Sequence, residues 1–332
     1  MQYRSLGNLN RVSSIGLGCM GMSHAYGAPG DRKEMTKLIE KAIDLGYTLF
    51  DTAEVYGTDT NPHDNEELVG AALKPFRDKV VISSKFGLHF DFTKAQPYPL
   101  VLDSDPKVIR KSIEESLKRL QTDHLDIYFQ HRVDPNVAPE DVAKVMADLI
   151  AEGKILSWGI SEVNEEVIRR AHAVCPLSAV QNRYSMMARD YEALFPTLEE
   201  LHIGFMAFSP LANGILTDCY NAQSKFDKST DYRASMPQFT AEGFDKNQEL
   251  LNLVRKLAKE KDATPGEISL AWMLNKKEWI VAIPGTRKEN RLIENGKASD
   301  LILSEAEVQA IDNALDKMQM SDVFGVKAKD NK

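Results

Sequence analysis

Three apolar segments of this chain each end at a side chain that can hold or transfer a proton. Residues 47–50 precede Asp51, residues 80–84 precede Lys85, and residues 125–130 precede His131. Helix-like sequence separates each segment from the next. If the segments are parallel strands, their carboxyl ends lie side by side at one mouth of a sheet, where α/β folds place their chemistry. We therefore expect these side chains to converge there with Tyr56, which lies in the loop after the first segment.

The types of these four residues indicate proton transfer to an oxygen atom. Tyrosine is a weak acid with an ordinary pKa of about 10, and a neighbouring ammonium group lowers that pKa by favouring the phenolate. Lys85, if buried beside Asp51, would stay charged and point at Tyr56. The phenol could then donate a proton to a carbonyl oxygen and recover it in the reverse reaction, while His131 holds the same oxygen. The competing interpretation is a packing tyrosine, a solvent-facing lysine and a structural histidine.

The elements that must position these residues alternate between strands and helices. Residues 32–45 carry an amphipathic stripe that Gly46 ends. Asp105 followed by Pro106 indicates a helix start, and Thr264 with Glu267 indicates a capping box. Eight apolar segments are predicted to be strands, and they end near Gly18, Asp51, Lys85, His131, Ser161, Gln181, Phe208 and Ile283.

Eight strand and helix units over 332 residues predict an α/β fold, a (β/α)8 TIM barrel. Residues 3–14 predict an N-terminal β-hairpin, and the last segments predict extra C-terminal helices. No linker divides the chain, so we expect a single barrel domain over 1–332 with a loose tail at about 326–332. The loops at about 22–31, 57–64, 88–104 and 212–243 would surround the mouth and determine the substrate.

The composition argues against several classes of protein, which are nucleic-acid-binding, membrane, disulfide-rich and metal-binding proteins. The chain has 41 Lys and Arg against 49 Asp and Glu, a net charge of −8, which argues against a nucleic-acid partner. The N-terminus has no signal-peptide core, and no apolar stretch is long enough for a membrane partner. The cysteines, Cys19, Cys175 and Cys219, suggest neither a disulfide framework nor a metal site. We expect a soluble protein in the reducing cytoplasm.

Residues 16–21 read Gly-Leu-Gly-Cys-Met-Gly and match the G-x-G-x-x-G pattern. The dinucleotide fingerprint requires a helix to begin inside the motif, so that the pyrophosphate meets the helix N-terminus. Residues 23–30 follow, and their glycines and proline are incompatible with a helix. We interpret the motif as a glycine-rich loop leaving a strand, whose glycines allow a close approach.

A small basic cluster follows the eighth predicted strand. Arg287, Lys288 and Arg291 lie at or near the predicted start of a helix. A helix N-terminus favours anions, and arginine is well shaped for phosphate. The alternative is a solvated basic turn, but barrels commonly bind phosphate after this strand.

The motifs together resemble those of the aldo-keto reductase superfamily, whose members are NADPH-dependent (β/α)8 oxidoreductases. Residues 50–57, Phe-Asp-Thr-Ala-Glu-Val-Tyr-Gly, and residues 65–70, Asn-Glu-Glu-Leu-Val-Gly, resemble the family signature. Ser84-Lys85 and Gln130-His131-Arg132 look like the places of its lysine and histidine. The resemblance covers nearly the whole chain. It implies a catalytic tetrad in which Tyr56 is the proton donor, made of Asp51, Tyr56, Lys85 and His131.

The resemblance also implies contacts to NADPH, with NADH less favoured. Ser161 and Gln181 match the residues that hold the nicotinamide carboxamide, and Tyr184 resembles an aromatic that stacks on the ring. The belt over the pyrophosphate would contain Ser209, Leu211 and Gly214. The 2′-phosphate and adenine site would contain Gly285, Thr286, Arg287, Arg291, Glu294 and Asn295. Gly285 stands where many smaller members carry a lysine, so the positive charge must come from Arg287 and Arg291.

Three functions are compatible with these residues. The first is NADPH-dependent reduction of a small aldehyde or ketone, with no metal. The second is a cofactor-sensing binding subunit, like the aldo-keto reductase-like subunits of potassium channels. The third is a Schiff-base aldolase with Lys85 as the nucleophile, which needs neither Tyr56 nor a 2′-phosphate site.

Overall fold

The computed structural model describes residues 1–58, 60–95 and 99–324, so the tail predicted at 326–332 lies outside the described residues. Its central sheet has eight parallel strands, which are β3 (Leu17–Gly18), β4 (Leu49–Asp51), β5 (Val81–Phe86), β8 (Ile127–Gln130), β9 (Trp158–Ser161), β10 (Ala179–Arg183), β11 (Gly204–Phe208) and β12 (Ile280–Ala282). Two antiparallel pairs are formed by β1 (Tyr3–Leu6) with β2 (Leu9–Ser13) and by β6 (Leu88–Phe90) with β7 (Leu100–Leu102).

Helices lie between and after the strands. They are α1 (Arg32–Asp44), α2 (Asp64–Leu73), α3 (Pro106–Leu120), α4 (Pro139–Ala151), α5 (Glu165–Val174), α6 (Phe195–Glu200), α7 (Ala241–Lys246), α8 (Gln248–Glu260), α9 (Pro265–Lys276), α10 (Glu289–Lys297) and α11 (Glu305–Leu315). Their starts follow local sequence signals. The Asp105 side chain accepts from the backbone N–H of Lys107 at the start of α3, and Thr264 and Glu267 form the predicted capping box of α9.

The strands close into a barrel. Their order is β3-β4-β5-β8-β9-β10-β11-β12, and the backbone N–H of Gly16 donates to the carbonyl of Ala282 at 2.8 Å to join the two ends. Gly18 is required at this seam, because a Cβ atom there would lie 2.7 Å from the carbonyl oxygen of Ile283. The structure confirms the predicted (β/α)8 barrel, and it places Gly16 and Gly18 of the G-x-G-x-x-G pattern at the seam, whereas Gly21 lies in the turn that follows.

The N-terminal hairpin covers the amino-terminal end of the barrel. Leu6 and Val12 are fully buried and pack against side chains of the barrel interior, including Leu49 and Met206. Gly204 makes room for Leu6, since a Cβ atom at this position would lie 2.5 Å from Leu6 Cδ2. Apolar side chains therefore fill this end, and the opposite end holds the polar residues of the site.

Two of the predicted loops contain short regular elements. Within residues 88–104, the strands β6 and β7 pair antiparallel, because Leu88 and Phe90 flank His89 and residues 100–102 are apolar. Within residues 212–243, short 3-10 turns lie on both sides of an irregular stretch over 218–231, and α7 begins at Ala241. Among the described residues, no helix is both long and apolar enough to cross a bilayer.

Candidate active site

Lys85 and Asp51 form a buried ion pair at the carboxyl ends of β5 and β4. The Lys85 Nζ atom donates to Asp51 Oδ2 at 2.6 Å and to the carbonyl oxygen of Thr52 at 2.7 Å, and no part of Lys85 is exposed. Asp51 Oδ1 accepts from Ser83 Oγ at 2.6 Å. Burial lowers the pKa of Lys85, but the charges of Asp51 and Tyr56 and their hydrogen bonds to Lys85 together raise the pKa above its ordinary value. A protonated, paired amine is a poor nucleophile, which disfavours the aldolase hypothesis.

Tyr56 lies directly against this ion pair. The Lys85 Nζ atom is 5.0 Å from the centre of the Tyr56 ring, and the tyrosine is buried. Burial raises the pKa of Tyr56, and the charge of Lys85 lowers it by less. The Lys85 charge does lower the Tyr56 pKa, as predicted. The net pKa is nevertheless higher than that of a free tyrosine, because removal of the phenol from water has a larger effect than the nearby charge.

His131 completes the predicted set. Its ring meets the Tyr56 ring edge to face, with centroids 5.6 Å apart. Burial lowers the pKa of His131 far below its ordinary value, and the charges of Lys85 and Arg132 lower it further. The imidazole is therefore neutral, and its buried Nδ1 atom has no hydrogen-bond partner among the described residues. A neutral ring beside the phenol can hydrogen-bond an oxygen of a ligand.

Two residues that the sequence interpretation missed also belong to the site. The His24 ring lies nearly parallel to the Tyr56 ring, with an interplanar angle of 18° and centroids 5.9 Å apart. The amide of Asn65 joins three segments around the tyrosine: its Nδ2 donates to the Cys19 carbonyl at 2.9 Å and to Ser23 Oγ at 2.7 Å, and its Oδ1 accepts from Thr52 Oγ1. Asn65 is part of the family signature at residues 65–70, but its hydrogen-bond partners are distant in the sequence and become visible only in the folded structure.

The residues predicted to hold a nicotinamide ring differ in their placement. Ser161 and Gln181 line the groove beside Asp51, and the Gln181 Nε2 atom donates to Asp51 Oδ1 at 2.9 Å. The structure does not support the stacking role of Tyr184. That side chain is fully buried outside the groove, where its ring stacks on Trp272 and its hydroxyl donates to Glu192. Phe208 is an aromatic residue that does line the groove. Its position at a strand end, directly before Ser209, is the sequence signal that could have identified Phe208 as a groove residue.

The segment after β11 has an unusual backbone. Ser209, Ala212 and Asn213 have φ angles of 49°, 46° and 61°, and Gly214 has 105°. Backbone N–H groups in successive turns of this kind form concave sites for anions. The Asn213 Nδ2 atom donates to the hydroxyl groups of Tyr26 and Tyr232 at 2.9 Å each, which fixes the segment. Ser209, Leu211 and Gly214 all line the groove.

The far end of the groove is basic. Arg287 donates to the backbone carbonyls of Ala28 at 2.6 Å and Tyr26 at 2.5 Å, and no acid among the described residues pairs with it. Arg291 pairs with Glu294 and contacts Cys219 Sγ. The groove here is lined by Gly285, Thr286, Arg287, Lys288, Arg291 and Asn295. Glu294 lies behind this wall, where it accepts from Thr264 Oγ1 at 2.7 Å.

These parts form one continuous groove of about 730 Å³. It runs from Tyr56 and His131, past Ser161 and Gln181, to Arg287 and Arg291. The unpartnered His131 atom, the left-handed turns after β11 and the basic end fit an elongated anionic cofactor with its reactive end at Tyr56.

Comparison with known proteins agrees with this arrangement. Residues 14–316 match the model of the Aldo/keto reductase family. The chain is 38% identical over 307 residues to a probable aldo-keto reductase of Glycine max, covering 92% of this chain and 86% of that protein. It is 36% identical over 311 residues to an aldo-keto reductase of Strobilurus tenacellus, covering 90% and 88%. A glycerol dehydrogenase structure from Gluconobacter oxydans superimposes with a TM-score of 0.86 at 27% identity and covers 98% of each chain.

The barrel, the buried ion pair and the groove define an oxidoreductase of the (β/α)8 class. The chain belongs to the aldo/keto reductase family, whose members are NAD(P)H-dependent oxidoreductases.

Proposed function

We propose that this enzyme reduces an aldehyde or ketone to an alcohol with NADPH, and that Tyr56 gives the proton. The arrangement of Tyr56 between the Lys85 ammonium and the neutral His131 ring carries this proposal. When bound, the nicotinamide supplies a hydride to the carbonyl carbon. The residues of the chain then have to hold the carbonyl oxygen and neutralise the negative charge that develops on it.

Tyr56 and His131 do this together. The raised pKa of Tyr56 keeps the phenol protonated before the reaction, so it can act as an acid. After proton transfer, the fixed charge of Lys85 stabilises the phenolate, and Asp51 keeps that charge in place. His131 is neutral and hydrogen-bonds the same oxygen, which orients the carbonyl group.

The basic end of the groove supports NADPH over NADH. Arg287 carries a charge that no described acid compensates, and Arg291 lies beside it on the same wall. Guanidinium groups suit a 2′-phosphate, which NADH lacks. Ser161, Gln181 and Phe208 would hold the nicotinamide at the other end, with the turns from Ser209 to Gly214 over the pyrophosphate.

The test is the Tyr56→Phe variant, which removes the proton and keeps the ring. We expect turnover to fall by at least about 100-fold, while fluorescence titration shows unchanged NADPH binding. The substrate panel contains simple aldehydes and quinones, and also glycerol in the oxidative direction, because one structural neighbour is named a glycerol dehydrogenase. An undiminished rate in this variant would rule the mechanism out. A wild-type enzyme that binds NADPH but turns over no carbonyl compound would favour the cofactor-sensing subunit.

We also propose a cytoplasmic location. Cys19, Cys175 and Cys219 are free thiols, which is the usual state in a reducing compartment. Fractionation of the source cells, with detection of the chain, tests this location.

A further inference from the structure

We propose that His24 selects the substrate, because its Nε2 atom accepts a hydrogen bond from a hydroxyl group near the reacting carbonyl. The substrates would then be hydroxylated aldehydes or ketones. This inference rests on the proposed reductase function and names its substrate class. His24 lines the groove next to Tyr56, and the two rings are nearly parallel with centroids 5.9 Å apart.

The His24 ring is fixed before any ligand binds. Its backbone N–H donates to the carbonyl of Met20 at 2.9 Å, and its carbonyl accepts from the N–H of Tyr26 at 2.9 Å. The ring Nδ1 atom lies 2.7 Å from the carbonyl oxygen of Gly57, in the loop that carries Tyr56. Ser23 adds a further link, since its Oγ donates to the Tyr56 carbonyl at 3.2 Å. One ring hydrogen bond to Gly57 and a backbone anchored on both sides of His24 keep the ring in position relative to the phenol.

The contact with Gly57 determines which ring nitrogen is protonated. A carbonyl oxygen can only accept, so the proton of a neutral His24 ring lies on Nδ1. The Nε2 atom then carries a lone pair and is an acceptor. No donor among the described residues reaches Nε2, and this atom belongs to a side chain that lines the groove. A ligand hydroxyl is a chemical group that can satisfy it.

The surroundings make this hydrogen bond selective. The groove that His24 lines is also lined by apolar side chains, which are Val55, Leu88, Leu100 and Phe324. A substrate that fills this space displaces water from Nε2. A hydroxyl group replaces the lost hydrogen bond, whereas an alkyl group leaves a polar atom unpaired, which costs binding energy. A carboxylate or a second carbonyl group has no hydrogen to donate and would not be favoured.

The test uses a pair of substrates that differ only in hydroxyl groups, glyceraldehyde and propanal, with NADPH as cofactor. The readout is the ratio of their kcat/KM values, in which general losses of activity cancel. His24→Phe keeps an aromatic ring against Tyr56 but has no acceptor, and we expect the ratio to fall about three- to tenfold, the effect of one hydrogen bond. His24→Gln places an amide oxygen near the Nε2 position and should restore much of the ratio.

If His24→Phe does not fold, His24→Asn gives the same information, because its amide N–H can still reach Gly57 while its shorter side chain places no acceptor at the Nε2 position. Thermal unfolding identifies the folded variants. An unchanged ratio in either variant would overturn the inference, as would a wild-type enzyme that does not prefer glyceraldehyde to propanal. A wild-type enzyme that reduces neither compound, nor any other carbonyl, would overturn the reductase function itself.

Discussion

The ammonium nitrogen of Lys85 lies 2.6 Å from Oδ2 of Asp51, and both side chains are almost completely removed from solvent. A buried ion pair adds little net stability, because the cost of desolvation offsets most of the attraction. Its effect is local. It holds one positive charge at a fixed distance from the Tyr56 ring, where a phenolate would form.

Asp51→Asn should therefore impair both activity and stability. The amide keeps the shape of the side chain but leaves the Lys85 charge uncompensated, so we expect kcat/KM to fall at least about tenfold and the free energy of unfolding to fall by about 3 kcal/mol. The kcat/KM value measured as a function of pH checks the effect on activity, and urea unfolding checks the effect on stability. Ser83→Ala is the matched control, because it removes a neutral donor to Asp51 without a change of charge. Equal effects in both variants would show that the charge is unimportant.

Arg291→Ala should weaken NADPH binding and leave NADH binding nearly unchanged. The loss of a charge-assisted hydrogen bond to a phosphate predicts a Kd for NADPH that is about 10- to 100-fold higher. Fluorescence titration with both nucleotides measures the difference. The control is Arg255→Ala, since Arg255 also pairs with an acid, Asp218, but does not line the groove. An equal loss for NADPH and NADH would contradict the assignment of Arg291 to the 2′-phosphate.

Glu54, between Asp51 and Tyr56 in the chain, predicts a pH-dependent stability. Its Oε1 atom is buried without a hydrogen-bond partner, 3.6 Å from His89 Nδ1. Burial raises the pKa of Glu54 to about 8, and the nearby charge of Glu66 adds to this effect. The carboxyl group of the unfolded chain ionises near its ordinary pKa of 4.5. Between these two values the folded protein binds more protons than the unfolded chain.

The free energy of unfolding should therefore fall as the pH rises from about 5 to about 8, by up to roughly 1.4 kcal/mol per pH unit from this group. Glu54→Gln removes the titration, so the variant should become more stable than the wild type by an amount that grows through this window. Urea unfolding at several pH values measures the difference. Glu305→Gln, an exposed change in α11, is the control. Parallel curves for Glu54→Gln and the wild type would refute the prediction.

Much of the fold follows from local signals in the sequence. The strands before Asp51, Lys85 and His131 are short apolar runs, and the start of α3 is encoded by Asp105 and Pro106. Such signals act over a few residues and need no knowledge of the tertiary structure. They were sufficient to predict the barrel and the mouth at which the four proton-handling residues meet.

The remaining features depend on contacts between distant segments. Tyr184 and Phe208 are both aromatic residues near strand ends, and only packing shows that Trp272 covers the first while the second faces the groove. His24 lies in a loop whose course is fixed by Asn65, which is far away in the sequence. The net pKa of Tyr56 depends on the extent of burial, which a list of neighbours does not give.

The seam of the barrel also limits how coenzyme preference can be altered. A Cβ atom on Gly285 would lie 2.9 Å from the carbonyl oxygen of Gly18, with backbone on both sides of the contact. Gly285→Lys, the change that would copy the smaller relatives, must therefore push the first and last strands apart. Engineers who want to retune this enzyme for NADH or NADPH should work on the helix that follows, where side chains have room to vary.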